Sequence, residues 1–206
     1  MIDLLQWRTL PRHPDLWVKH HELRKAVFVD EKGWGVPSFD GLEYDEYDTP
    51  SAVYMLSHEN GEVLGCQRLL RCSQPYFMKD HFPDSVTEMP LPDTDRHWEA
   101  SRFTIRQDIS REAQAKVMGE ICAAGIEFGL AHGIESYIYF TPADLFAVVS
   151  SYLPVELRTI GPEIDLSGEK NVAVESMNTL EGLRGLRELF GLPDDVLEPQ
   201  TVREAA

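Results

Sequence analysis

Two long stretches of the chain carry apolar residues at helical spacing. Residues 14–29 predict an amphipathic helix, with an apolar face formed by Leu16, Val18, Leu23 and Val27. Residues 110–132 predict the longest helix, because Ser110 is a suitable N-cap and Gly133 a suitable C-terminal stop. The apolar positions of this second helix are Val117, Ile121, Ala124 and Phe128.

Apolar runs elsewhere in the chain predict strands. Between two of these runs, the turn Glu59-Asn60-Gly61-Glu62 is a strong hairpin signal. The predicted strands cover residues 52–57, 63–71, 98–105, 136–140, 155–160 and 171–176, and the shorter predicted helices follow Pro142 and cover residues 179–190. Four prolines exclude long regular elements from residues 73–97. This mixed order predicts one α/β sandwich domain over residues 1–206, with a central twisted sheet and a tail that is loose from about residue 193.

The charge of the chain excludes one class of partner and suggests another. The formal charge of −16 argues against nucleic acid, whose phosphates require a basic surface. Residues 65–120 are nearly neutral, with eight Lys or Arg against nine Asp or Glu. That segment therefore either presents a local basic patch to an acidic partner or forms a mixed solvated surface.

Cysteine count and hydropathy indicate a protein of the cytoplasm. The three cysteines, Cys66, Cys72 and Cys122, are an odd number without metal-ligand spacing, which favours small core side chains in a reducing compartment. No histidine set has suitable spacing either, so we expect no metal site. No apolar stretch is long enough for a membrane span, and residues 1–8 do not resemble a signal peptide.

Charged and aromatic residues recur in the first third of the chain. They are Arg24, Phe28, Trp34, Asp45 and Asp48, and they lead to Arg68. One interpretation is a solvated surface of mixed charge. The other is a charged network beside an aromatic wall. Such a pocket suits a sulfonium ligand, because carboxylates neutralise its positive charges and an aromatic face attracts the cation.

A second polar group lies on the predicted strand 98–105. Strand alternation puts Glu99 and Ser101 on one face, while Arg102 and Phe103 lie on opposite sides. Charged side chains on a core strand are costly to bury unless they are paired or used in function. The residues alone leave a structural pairing and a functional site open.

Together these residues resemble the LuxI-type autoinducer synthase family. The pattern Arg24-x3-Phe28-x5-Trp34-x10-Asp45-x2-Asp48 is followed by Arg68 in Gly-Cys-Gln-Arg-Leu-Leu and by Glu99-x-Ser101-Arg102-Phe103. Residue type, spacing and order agree over about eighty residues. The resemblance implies a fold similar to that of the GCN5-related N-acetyltransferases, an α/β/α sandwich whose mixed central sheet is splayed into a V that admits a thioester.

The resemblance also implies an acyl-homoserine lactone synthase, an acyltransferase that makes a quorum-sensing signal. Its substrates are S-adenosylmethionine and an acyl group carried on acyl carrier protein (or coenzyme A), and no prosthetic group is implied. The amine of S-adenosylmethionine attacks the acyl thioester. The methionyl carboxylate then closes the lactone ring and expels methylthioadenosine.

Site roles follow from the same resemblance. Glu99, Arg68 and Arg102 are the expected catalytic residues, with Glu99 as the base that acts directly or through a water. The expected donor pocket consists of an ionic network, in which Arg24, Asp45 and Asp48 join the two arginines, and of the lining residues Phe28 and Trp34. The expected acyl-chain residues are Ser101, Phe103 and Thr141, although a threonine before Pro142 is also explained by a turn.

Two departures from the family and two alternatives remain. The helix after Thr141 lacks the family's Met-Glu-Arg-like sequence, and the stretch 180–206 matches only some relatives.

One alternative is a GCN5-related N-acyltransferase that uses acyl-coenzyme A on another amine, although residues 106–113 lack the glycine-rich loop that binds pyrophosphate. The other alternative is a non-catalytic protein that binds S-adenosylmethionine or a lactone. Release of methylthioadenosine separates the three.

Overall fold

The computed structural model describes residues 2–197. Its helices are α1 (Pro14–Arg24), α2 (Phe77–His81), α3 (Arg111–His132), α4 (Ala143–Ser150) and α5 (Leu180–Phe190). Its strands are β1 (Ile2–Leu5), β2 (Ser38–Phe39), β3 (Leu42–Glu43), β4 (Val53–Glu59), β5 (Glu62–Arg71), β6 (His97–Ile105), β7 (Ser136–Pro142), β8 (Leu157–Thr159), β9 (Ile164–Leu166) and β10 (Glu169–Met177).

Eight strands of the described chain form one mixed sheet. Its order is β1-β4-β5-β6-β7-β10-β8, and β9 also pairs with β10. Helix α3 covers one face, where Val117, Ile121, Ala124 and Phe128 pack as the helical spacing predicts. Helix α1 and the segment between β5 and β6 cover the other face. The predicted α/β sandwich with a mixed central sheet is therefore confirmed.

The sheet splits between its two parallel strands. β6 and β7 pair only from His97 to Glu99 and from Ser136 to Ile138. Beyond these residues, β6 continues beside β5 to Ile105, whereas β7 continues beside β10 to Pro142. The two halves of the sheet consequently diverge, which confirms the expected V.

Local signals predicted several boundaries well. The hairpin β4–β5 turns at Asn60 and Gly61, both with positive φ, as the type I′ turn requires. The Ser110 side chain caps α3 by accepting from the N–H of Ala113, and Gly133 ends the helix in the left-handed conformation. Between β5 and β6, the prolines permit only α2 and one short 3₁₀ turn.

The predicted helix over residues 14–29 differs from the structure in two respects. The α-helical part ends at Arg24, and residues 25–31 continue as a wider π-helical turn that buries Phe28. The inward face is also more polar than the apolar spacing indicated. Val18 is 42% exposed, whereas His20, His21 and Arg24 are buried.

The C-terminal tail is partly held in place. The backbone N–H groups of Val196 and Leu197 donate to the Glu127 carboxylate on α3, and Leu197 bridges to Ile2. Within the tail that was expected to be loose from about residue 193, the Glu127 carboxylate thus holds these two residues against α3. The rest of that prediction, residues 198–206, lies outside the described residues. Strands β1, β2, β3 and β9 were not predicted.

Candidate active site

Six charged side chains from four segments of the chain meet on the face of the sheet opposite α3. Three are arginines and three are carboxylates, so their formal charges cancel. Each of these side chains is at most 9% exposed. The six, here called the ion network, are Arg24 on α1, Glu43 on β3, Asp45 and Asp48 in the loop that follows, Arg68 on β5 and Arg102 on β6. The structure therefore joins all five charged residues that the sequence placed in one network.

Arg24 and Asp48 form the innermost pair of the network. The Nη1 and Nη2 atoms of Arg24 donate to the two oxygens of Asp48 at 2.8 and 2.9 Å, a bidentate arrangement. The Tyr54 hydroxyl adds a third hydrogen bond to Asp48, at 2.7 Å. Burial alone raises the pKa of the Asp48 carboxyl, but Arg24 and Arg68 together hold that pKa well below its usual range. Asp48 is therefore a carboxylate under all ordinary conditions.

Asp45 connects the other two arginines. Its Oδ2 lies 3.1 Å from Nη2 of Arg68 and 2.7 Å from Nη2 of Arg102. Arg68 also reaches Asp48, with 3.0 Å between Nη1 and Oδ1. Burial acts to raise the pKa of Asp45, yet Arg68 and Arg102 lower it overall. Each arginine thus contacts two carboxylates, which makes the network rigid.

A β-bulge turns Arg102 toward the network. Arg102 and Phe103 lie on opposite sides of the strand, as expected, although strict alternation would also put Arg102 on the side opposite to Ser101. The β5–β6 register shifts between Cys66 and Arg68, and Arg102 adopts φ of +54°. Ser101 accepts from Nε of Arg68 at 3.2 Å, so Ser101 and Arg102 both face the network. Phe103 then packs on the α3 side.

Glu43 belongs to the network but was missed in the sequence. Its side chain is fully buried, and its two oxygens accept from Nε of Arg24 and, at 3.1 Å, from Nε of Arg102. Glu43 thus links Arg24 to Arg102, a pair that neither Asp45 nor Asp48 bridges. The available signal was the acidic spacing Glu43-x-Asp45-x2-Asp48, of which only the last two residues were selected.

An aromatic wall borders the network, as predicted for Phe28 and Trp34. The two rings stack with centroids 5.3 Å apart and planes inclined by 1°. The guanidinium of Arg102 lies 5.8 Å from the Phe28 ring and 5.5 Å from the ring of Phe77, a residue that was not predicted. The π-helical turn carries Phe28 to this position, and such turns are frequent at functional sites.

Glu99 is buried beside the network and is held by one backbone hydrogen bond. It is 2% exposed, and one of its oxygens accepts from the N–H of Met78 at 3.0 Å. Burial raises the pKa of Glu99 to about 7, although the Met78 hydrogen bond and the positive charges of Arg68 and Arg102 oppose that increase. A carboxyl group with this pKa can both take and release a proton near neutral pH.

Comparison with known proteins identifies the family. Residues 9–153 match the autoinducer synthase family. The acyl-homoserine-lactone synthase of Pseudomonas aeruginosa is 41% identical over 75% of this chain and 78% of that protein, and the one of Ralstonia nicotianae is 37% identical over 52% of this chain and 53% of that protein. The chain belongs to the autoinducer synthase family. Members with the name acyl-homoserine-lactone synthase are acyltransferases, and this chain is one of that class.

A solved structure of the same fold supports the architecture. A CoA-dependent acyl-homoserine lactone synthase, BjaI, determined with S-adenosylmethionine and isopentyl-CoA, superposes with a TM-score of 0.86. The match covers 100% of this chain and 98% of that one at 24% identity, so it establishes the fold alone. The predicted family and fold are both confirmed.

The three residues that were expected to contact the acyl chain do not form one surface in this synthase. Ser101 faces the ion network, whereas Phe103 and Tyr139 pack on the α3 side. Thr141 is half-buried on β7, beyond the last residue that pairs with β6, and shares its face with Tyr139. Ser101 and Thr141 therefore flank the opening of the V from opposite faces of the sheet.

The nearly neutral segment 65–120 does not present a free basic patch. Of its eight basic residues, Arg68 and Arg102 are buried in the ion network. Four more form ion pairs with neighbouring carboxylates: Arg71, Lys79, Arg96 and Arg106. Only Arg111 and Lys116, both on α3, are outside these pairs and the network. The positive charge of the segment is thus largely neutralised within the described structure.

Other candidate features add little chemistry. The three cysteines are free, and burial raises the pKa of the Cys66 thiol to about 12, so they are packed side chains as predicted. Helix α4, which departs from the family sequence, has no buried residue and exposes Leu145 and Val148. Between residues 2 and 197, no group of three or more His, Cys, Asp or Glu is arranged to hold a metal ion. Within the same range, every helix is too short or too polar to cross a membrane.

Proposed function

We propose that this chain synthesises an acyl-homoserine lactone from S-adenosylmethionine and an acyl thioester. The amine nitrogen forms an amide bond with the acyl carbon, and the thiol of the carrier leaves. The methionyl carboxylate then attacks its own γ-carbon, the bond from that carbon to sulfur breaks, and methylthioadenosine leaves. The lactone serves as a quorum-sensing signal.

The observation that carries this proposal is a buried base beside a buried, charge-balanced pocket wall. The amine arrives as an ammonium ion and is not nucleophilic until it loses a proton. Glu99 is suited to accept that proton because its pKa of about 7 leaves a large fraction of the group ionised near neutral pH. Ring closure needs no acid, since the sulfonium is already a good leaving group. The enzyme therefore contributes mainly orientation to the second step.

The ion network is proposed to shape the donor pocket. Its six charges satisfy one another, so it needs no ligand to be stable and presents a preformed edge at Arg102, the least buried member. Phe28 and Trp34 complete the pocket with a flat aromatic surface for the adenine or the sulfonium. The bound S-adenosylmethionine in the BjaI structure supports this ligand for the fold.

The V between β6 and β7 is proposed to admit the acyl thioester. Ser101, Phe103 and Thr141 flank this opening and are the proposed acyl-chain residues. Acyl carrier protein and acyl-coenzyme A both remain proposed donors. The isopentyl-CoA in the BjaI structure supports the second of them. Both substrates are cytoplasmic metabolites, and we propose the cytoplasm as the location.

A GCN5-related N-acyltransferase is the second candidate function, since it shares the splayed sheet. It would transfer an acyl group from coenzyme A to another amine and would release no methylthioadenosine. The ion network and the aromatic wall favour the synthase, because acylation of a simple amine requires neither.

Two measurements test the proposal. Extracts of a heterologous bacterium that expresses the chain are searched by mass spectrometry for the protonated homoserine lactone fragment, against an empty-vector control. The purified protein is then assayed for methylthioadenosine with S-adenosylmethionine and either carrier-bound or coenzyme A-bound acyl groups. We expect lactone and methylthioadenosine in equal amounts. Acyl transfer without methylthioadenosine would replace the synthase with the second candidate.

A further inference from the structure

A histidine pair lies directly behind the ion network. His20 and His21 on α1 are both buried, and their rings lie 3.9 Å apart. Trp17 meets both rings edge-on, at 4.9 and 4.6 Å, and the ring of Tyr54 lies 4.9 Å from His20. Tyr54 in turn donates to Asp48, so this aromatic layer contacts the network directly. Neither the sequence pattern nor the proposed mechanism uses the two histidines.

The surroundings of the two rings favour their neutral form. Nδ1 of His21 lies 2.7 Å from the backbone carbonyl of Glu43, and Nδ1 of His20 lies 3.3 Å from the carbonyl of Leu16. A carbonyl only accepts, so each Nδ1 carries the hydrogen. Nε2 of His20 is buried without a partner, and a proton there would have no acceptor. Burial is also the main cause that lowers the pKa of both rings, with the charge of Arg24 acting in the same direction.

The Glu43 carbonyl connects a short, weakly paired strand to helix α1 through the hydrogen bond from His21. Glu43 lies on the two-residue strand β3, which pairs only with the two-residue strand β2. This small ladder gives the segment little rigidity of its own. The Glu43 carboxylate nevertheless spans Arg24 and Arg102, two arginines from distant parts of the chain. The bond from His21 links the Glu43 backbone to helix α1, which also carries Arg24.

We propose that His21 is a positioning residue of the donor site, which fixes the Glu43 backbone so that its carboxylate holds Arg102 beside the aromatic wall. His21 touches no substrate in this proposal and acts through Glu43. The inference rests on the proposed role of the ion network in binding S-adenosylmethionine. It extends that role to His21 and to the hydrogen bond between His21 and the Glu43 carbonyl.

Three variants separate the hydrogen bond from simple packing. His21→Leu removes the donor, whereas His21→Asn keeps a side-chain N–H near the position of Nδ1. His20→Phe is the matched control, because it alters the neighbouring buried ring, whose own bond stays within α1. Thermal unfolding establishes that each variant is folded before kinetics are measured.

Steady-state kinetics with both substrates then give the test. We expect His21→Leu to raise the KM for S-adenosylmethionine about tenfold, the effect of about 1.4 kcal/mol, with kcat and the KM for the acyl donor changed less than threefold. His21→Asn should restore most of the affinity, and His20→Phe should change KM less than twofold. A folded His21→Leu variant with unchanged KM would overturn the proposal, as would equal losses in His21→Leu and His21→Asn.

Equilibrium binding keeps this test separate from that of the proposed function. Methylthioadenosine binding is measured by calorimetry for the wild type and His21→Leu, without an acyl donor. If the wild type binds methylthioadenosine but forms no lactone, the synthase assignment fails while the His21 proposal is still decided by the difference in affinity. If lactone forms and His21→Leu binds methylthioadenosine as the wild type does, only the positioning role is rejected.

Discussion

Replacement of Glu99 by glutamine should make the protein less active and, at alkaline pH, more stable. The substitution keeps an oxygen that accepts from the N–H of Met78 but removes the titrating group. Without the base, acylation should slow by about 10²–10⁴-fold. Binding of S-adenosylmethionine should be retained, because Glu99 is not a member of the ion network.

The stability change follows from the raised pKa of Glu99. Its folded-state pKa of about 7 exceeds the ordinary 4.5, so ionisation of the buried carboxyl costs about 3 kcal/mol relative to the unfolded chain. The protonated carboxyl therefore stabilises the folded wild type, and this stabilisation is fully present below about pH 4.5 and is lost as the pH rises through 7. The glutamine side chain does not titrate. The free energy of unfolding of the variant, relative to that of the wild type, should therefore be about 3 kcal/mol higher at pH 8.5 than at pH 4.5.

Thermal unfolding at both pH values measures this difference. For a chain of this size the gain corresponds to a rise of about 6–12 °C in the Tm of the variant relative to the wild type. Glu175→Gln is the matched control, since Glu175 is equally buried but bonded to Ser136 and Arg158. That variant should lose stability and keep turnover per folded molecule. A Tm difference between Glu99→Gln and wild type that is independent of pH, or wild-type turnover by Glu99→Gln, would refute the reasoning.

Three further predictions concern the same site. The wild-type kcat/KM should fall as the pH drops below about 7, because Glu99 becomes protonated, and a pH–rate profile that is flat from pH 6 to 8 would contradict its role as base. Asp48→Ala should leave Arg24 and Arg68 with unbalanced buried charge. Denaturant titration should show a free energy of unfolding that is lower by about 3–5 kcal/mol, and calorimetry should show S-adenosylmethionine binding that is at least tenfold weaker. The control is Asp30→Ala at an exposed position, which should change neither quantity. Trp34→Ala should weaken methylthioadenosine binding about tenfold with little effect on the KM for the acyl donor, and equal losses for both ligands would indicate a general disruption instead.

Short-range features of the sequence determined most of the elements. The Asn60-Gly61 turn, the Ser110 cap and the Gly133 stop each act within a few residues, so their effect is visible without the fold. The apolar spacing of α3 reports the burial of a single helix face in the same way. The resemblance to the family predicted which residues meet at the site and that the central sheet is splayed into a V. Short edge strands such as β1 and β9 were missed because three or four residues carry too little periodicity.

Tertiary structure alone decided how the charged residues meet. Alternation along β6 predicts the wrong face for Arg102, since a bulge depends on the register with β5 as well as on the strand itself. The polar inward face of α1 and the burial of Glu43 were likewise not visible locally. Glu43 is separated by 19 residues from Arg24 and by 59 from Arg102. A charge is buried at acceptable cost only where such distant partners converge on it, and no periodicity within one element reports that convergence.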